Sequence, residues 1–106
     1  MVALYPVKML NIITIDSMED RMVAMFEKYG TSGYTIMRAR GAGSSGVHAD
    51  ISGFDANIFV KAIVPEAHLE VLLDSLKRKI NKGYHVTVYI SDVEVLSAEK
   101  FNPATR

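Results

Sequence analysis

The spacing of apolar positions changes period repeatedly along this chain, and each change marks the edge of an element. Residues 8–15 carry Met9, Leu10, Ile12, Ile13 and Ile15, a run rich in branched side chains that predicts a strand. The stretch 16–20, Asp-Ser-Met-Glu-Asp, then supplies an N-cap and places acids in a first helical turn, where the macrodipole favours them. Met18, Met22, Val23, Met25 and Phe26 recur at helical spacing, and Gly30 stops the helix. A second strand follows over 34–40. In the third, 56–64, strict alternation sends Ile58, Val60, Ala62 and Val64 to one face and Phe59, Lys61 and Ile63 to the other. Pro65 stands at a helix start, where proline is tolerated. Leu69, Leu72, Leu73, Leu76 and Ile80 then form the stripe of a core-facing helix that Gly83 ends. A fourth strand over 85–90 turns Val86, Val88 and Ile90 inward, and 92–96 continues as a short extended segment before a polar tail, 97–106.

The order β-α-β-β-α-β predicts an α+β fold, the ferredoxin-like plait, built as a single domain over residues 1–106. Two helices cover only one face of such a sheet. The other face would carry Ile13, Met37, Phe59, Ile63 and Tyr89, more apolar than a wetted surface, which predicts self-association.

Charge and composition narrow the partners. Twelve Lys and Arg balance 12 Asp and Glu, so no general basic field points to nucleic acid. The chain has no Cys, which excludes a disulfide framework and a cysteine metal site. The first residues lack the cationic lead and apolar run of a signal peptide. No stretch reaches the roughly 18 apolar residues of a membrane span. The expectation is a soluble, cytoplasmic protein without membrane insertion.

The chemistry gathers around 33–55. The strand over 34–40 runs into Arg38 and Arg40 and then into a Gly- and Ser-rich loop, 41–55. Loops beyond roughly 12–15 residues are uncommon in compact domains and are usually functional or disordered. Arg38 and Arg40, two apart, would project from one strand face and hold a phosphate or carboxylate together; equally, they are edge-strand charges that solubilise. Gly41, Gly43 and Gly46 permit the close backbone approach of a phosphate nest, though neither a P-loop nor a dinucleotide fingerprint is present. Lys77, Arg78, Lys79 and Lys82 crowd the end of the second helix, which reads as charge matched to the helix dipole. His48, His68 and His85 are too scattered for a metal set, and His68 reads as a surface residue. No nucleophile, base or paired carboxylates can be assigned, so the reading is non-enzymatic.

This topology, together with Gly33-Tyr34-Thr35 and Arg40-Gly41-Ala42-Gly43, resembles the PII signalling superfamily. The resemblance runs from Lys8 to about Phe101 and includes Ile63-Val64-Pro65 and Gly83. It implies a homotrimer binding adenine nucleotides in clefts between subunits, with 41–55 as the T-loop that engages a partner. Carried over by position, Gly33, Tyr34 and Thr35 would line the adenine side. Arg40, Gly41, Gly43 and Ser44, with Arg38, would approach the phosphates, while Lys61, Ile63 and His85 would complete the site. The segment Gly83-Tyr84-His85-Val86-Thr87 is shorter than the B-loop of the nitrogen sensors and lacks its lysine, and Ser44-Ser45 replace an Arg-Gln pair. The chain is therefore more similar to PII-like proteins linked to bicarbonate transport or carboxysomes. Such a likeness implies ADP or AMP as regulatory ligands, bicarbonate in some members, and a transporter or carboxysome component as partner. Two other families share the plait: CutA-like trimers that bind metal, and amino-acid-binding ACT modules. The missing Cys and the long Gly/Ser loop disfavour the first, and a chain not fused to an enzyme disfavours the second.

Overall fold

The computed structural model describes residues 2–31, 33–41 and 57–96. Its elements follow the order β1 (Tyr5–Ile15), a 3-10 turn (Asp16–Met18), α1 (Glu19–Lys28), β2 (Thr35–Ala39), β3 (Asn57–Val64), α2 (Glu66–Asn81) and β4 (Val86–Val95). The sheet order is β2-β3-β1-β4, with every neighbouring pair antiparallel. This is the ferredoxin-like plait that the hydrophobic periods predict. Most of the loop 41–55, including Gly43 and Ser44, and the tail 97–106 lie outside the described residues.

Sheet and helices meet in one apolar layer. Leu10 and Ile12 from β1 and Ile58, Val60, Ala62 and Val64 from β3 pack against Met22, Met25 and Phe26 of α1 and Leu72 and Leu76 of α2, all buried. The β3 alternation is therefore read correctly. Strand β1 begins three residues earlier than its branched run suggests, because Tyr5, Pro6 and Val7 pair with Val95, Glu94 and Val93 of β4. At Pro6 only β4 lies alongside, since the β1–β3 ladder starts at Lys8, and such an edge is where a strand tolerates proline.

Both helices end as their glycines predict. Gly30 adopts φ +75° and Gly83 φ +98°, the left-handed region where a Cβ is strained. Around them Thr31 N–H donates to Phe26 O (2.9 Å) and Gly30 N–H to Glu27 O (3.4 Å). Tyr84 N–H likewise donates to Lys79 O (3.2 Å) and Gly83 N–H to Ile80 O (3.0 Å). These are paired Schellman closures. The helix starts differ from expectation. Neither Asp16 nor Ser17 caps α1: extended Ile15 leads directly into the 3-10 turn, so Asp16 is already inside it, and no side chain caps either segment.

Two apolar positions expected inward are not. Ile90 is 38% exposed, although it shares the helix-side face with Val86 and Val88, and Asp92 and Glu94 beyond it are exposed. Burial falling along one face means that the helix layer stops covering β4 between Val88 and Ile90, while Leu10 beside Ile90 stays buried. Ile80 is 37% exposed in the last turn of α2, while Ser75 takes a buried place between Leu72 and Leu76. His68 also departs from its surface reading. It is half-buried, its Cε1 faces the position a Gly30 side chain would occupy, and its buried Nδ1 has no hydrogen-bond partner.

Candidate functional site

The sheet face away from the helices is ordered in rows by register. One row sets Thr35 of β2 opposite Lys61 of β3, Lys61 opposite Asn11 of β1, and Asn11 opposite Tyr89 of β4. The next sets Met37 beside Phe59, Phe59 beside Ile13, and Ile13 beside Thr87. Ile13, Met37, Phe59, Ile63 and Tyr89 thus share this face, as alternation predicts. Met37 is 42% and Tyr89 46% exposed. The rings of Phe59 and Tyr89 meet edge to face at 6.3 Å, and the Lys61 ammonium lies 5.0 Å from the Phe59 ring centre.

Asn11 is the polar centre of this face and was not singled out in the sequence. It is 2% exposed, and its Nδ2 lies 2.9 Å from Ser91 Oγ, 3.2 Å from Met9 O and 3.3 Å from Tyr89 O. An amide inside an otherwise apolar strand run is the signal that would have found it, since a buried polar group must be satisfied.

The sequence-predicted nucleotide residues fall into separate places. Thr35 and Lys61 are direct cross-strand partners at the β2 side. The same register carried two residues further sets Gly33 opposite Ile63, beyond the last pair of the ladder. Tyr34 turns the other way: its ring stacks on buried Phe26 of α1 at 5.3 Å and 13°, leaving it 38% exposed. Arg38 is also on the helix side, opposite Ile58, and its guanidinium lies 3.8 Å from the Asp16 carboxylate. Exposed pairs of this kind contribute little. Strand β2 ends at Ala39, so Arg38 lies within the strand and Arg40 just past its end. Arg40 and Gly41 are exposed just past that end.

His85 lies at the opposite edge. It precedes β4, and its carbonyl accepts a hydrogen bond from Thr14 Oγ1 at 2.8 Å. The register puts Ala39, Asn57, Ile15 and Val86 at one end of the sheet, so Arg40 and His85 share that end. Between their strands lie β3 and β1, a separation of about 14 Å at ordinary strand spacing.

Away from this set, Lys8 pairs with Asp92, its direct partner across β1 and β4. The hydrogen bond that Lys8 donates to Asp92, and then the Asp92 charge, hold the Lys8 ammonium above the ordinary lysine range. No cluster of three His, Cys, Asp or Glu side chains that could hold a metal occurs among the described residues. None of their helices is long and apolar enough to cross a membrane.

Comparison with known proteins gives this geometry a family. No curated protein matches the sequence. Among solved structures, a PII-like signaling protein from Thermus thermophilus is 32% identical. The match covers 94% of this chain and 99% of that one, with a TM-score of 0.75. CPII from Thiomonas intermedia, bound to ADP and bicarbonate, is 29% identical over 96% of this chain and 100% of its own, with a TM-score of 0.82. The apo form of CPII is 27% identical over 90% and 97%, with a TM-score of 0.73. The family model described as nitrogen regulatory protein P-II matches residues 7–100, nearly the whole chain, and the protein belongs to that family.

Proposed function

We propose that this protein is a non-enzymatic, cytoplasmic PII-like sensor of ADP or AMP, with bicarbonate as a second ligand. It works as a homotrimer and signals through residues 41–55 to a protein partner in inorganic-carbon metabolism, a bicarbonate transporter or a carboxysome component. The observation that carries this reading is the end-to-end similarity to CPII, a protein bound to ADP and bicarbonate.

The placement of the candidate residues supports it. Gly33, Thr35, Arg40, Gly41, Lys61 and Ile63 gather toward the β2 edge and His85 lies at the β4 edge, and the β2 edge of one copy set beside the β4 edge of another would bring them into one compact site. The open apolar face provides the surface that such copies would bury. Thr35 and Lys61 offer a hydroxyl and an ammonium to the nucleotide, while Arg40 and the backbone N–H groups after it meet the phosphates. Gly43 and Ser44 belong to that phosphate set, and Tyr34, stacked on Phe26, would border the adenine with its exposed edge.

The test is calorimetry of the purified protein with AMP, ADP, ATP and cyclic AMP, each with and without bicarbonate. Saturable binding of ADP or AMP, strengthened by bicarbonate, supports the reading. Binding of none of these nucleotides overturns it.

A further inference from the structure

On the helix side, away from the open sheet face, α1 and α2 enclose a groove of about 370 Å³, within the size range of small-ligand sites. Five cations line it: Arg21 and Lys28 from α1, and Arg78, Lys79 and Lys82 from the end of α2. Among the described residues, no Asp or Glu joins that lining.

Helix-end matching explains part of this set. Lys28, Arg78 and Lys79 lie in last turns and Lys82 at a C-cap, where a C-terminal dipole favours positive charge. Arg21 does not fit that account. It is the third residue of α1, at the helix end where the dipole disfavours a cation. Its guanidinium crosses instead to the Tyr84 ring, 5.0 Å from the centre.

Four of the five charges are held by neutral groups. Arg78 donates to Tyr29 Oη at 3.4 Å, and Lys79 Nζ donates to the buried Ser75 Oγ at 3.1 Å. Lys28 Nζ stands 5.4 Å from the Tyr29 ring centre, and Arg21 stands over Tyr84. Hydroxyls and ring faces orient these side chains and leave their charge unneutralised. Burial, and then the charge of Arg78, hold the Lys79 ammonium below the ordinary lysine range; Lys82 and Arg21 push the same way. An anion entering the groove would remove that repulsion.

We propose that the α1–α2 groove is a second ligand site, separate from the nucleotide residues at the sheet edges, that takes an oligophosphate group. Multiple charge on the ligand is required because a single anion would leave most of the lining unpaired. Phosphate oxygens match the planar forks of Arg21 and Arg78, with the lysines as point charges between them. The oligophosphate is either free in solution or the tail of a nucleotide.

The experiment follows backbone amide shifts of the full chain on addition of inorganic pyrophosphate, and separately of ADP. Pyrophosphate is expected to move Arg21, Lys28, Ser75, Lys79 and Tyr84 along a saturating curve that weakens as NaCl rises. Arg21→Gln and Lys79→Gln should each weaken it tenfold or more, while Lys77→Gln, outside the lining, should leave it unchanged. Lys28→Gln, at an exposed position, replaces Lys79→Gln if the latter disturbs the helix around Ser75. ADP shifts at these groove amides assign the site to nucleotide tails; shifts confined to 33–41 assign it to free oligophosphate. A non-saturating response to pyrophosphate, or equal weakening by Lys77→Gln, overturns the proposal.

Discussion

Arg40 is the residue on which the proposed phosphate contact most depends. It stands exposed past the end of β2, whereas Arg38 is directed to the helix side beside Asp16. A charge-assisted hydrogen bond contributes roughly 1.5–3 kcal/mol. Arg40→Ala should therefore weaken ADP binding by about one to two decades in calorimetry. Unaltered ADP binding by Arg40→Ala would move the site elsewhere. A second residue-scale expectation concerns Lys8, whose ammonium Asp92 holds above the ordinary lysine range. A raised folded-state value means that the pair's contribution is present in full below about pH 10.4 and is lost as pH climbs beyond it. The gap between the denaturant midpoints of the parent and Lys8→Met should thus be widest at pH 8 and narrow as pH rises past the ordinary lysine range. At this scale the sequence was only partly readable. Strand alternation tells which side Arg38 takes but not that the strand stops at Ala39. Nothing local reports that Arg21 reaches Tyr84, because that contact exists only once two distant elements are packed.

Among the elements, α2 shows what hydrophobic spacing can and cannot convey. Leu72 and Leu76 are buried as the stripe predicts, and Gly83 closes the helix because only glycine takes its positive φ without strain. Nothing lies within 4 Å of the position a Gly83 side chain would occupy, so Gly83→Ala isolates the backbone term. A left-handed Cβ costs roughly 1–2 kcal/mol, and chemical denaturation should register a loss of that size. No loss would show that the closure relaxes into another turn. The same stripe includes Ile80, and the β4 pattern includes Ile90, yet both are more than a third exposed. Periodicity identifies the face of an element, not how far the covering layer extends along it. Likewise Asp16-Ser17 has the composition of an N-cap, but the strand enters its turn one residue too early for Asp16 to serve as one.

For the whole molecule, the plait and its family follow from pattern and motif order, while assembly rests on the face opposite the helices. Met37, Phe59, Ile63 and Tyr89 leave that face apolar around the buried amide of Asn11. The expected outcome is a trimer by light scattering at micromolar concentration, with Tyr89→Glu shifting it toward monomer. A stable parent monomer would remove the composite nucleotide site along with the trimer. The separation of Arg40 and His85 on opposite sheet edges then has a genetic meaning. If each cleft draws one half from either neighbour, a chain damaged only at Arg40 and a chain damaged only at His85 complement each other. Co-assembled, they rebuild an intact cleft in every mixed ring, whereas a single chain carrying both lesions poisons the two clefts it borders.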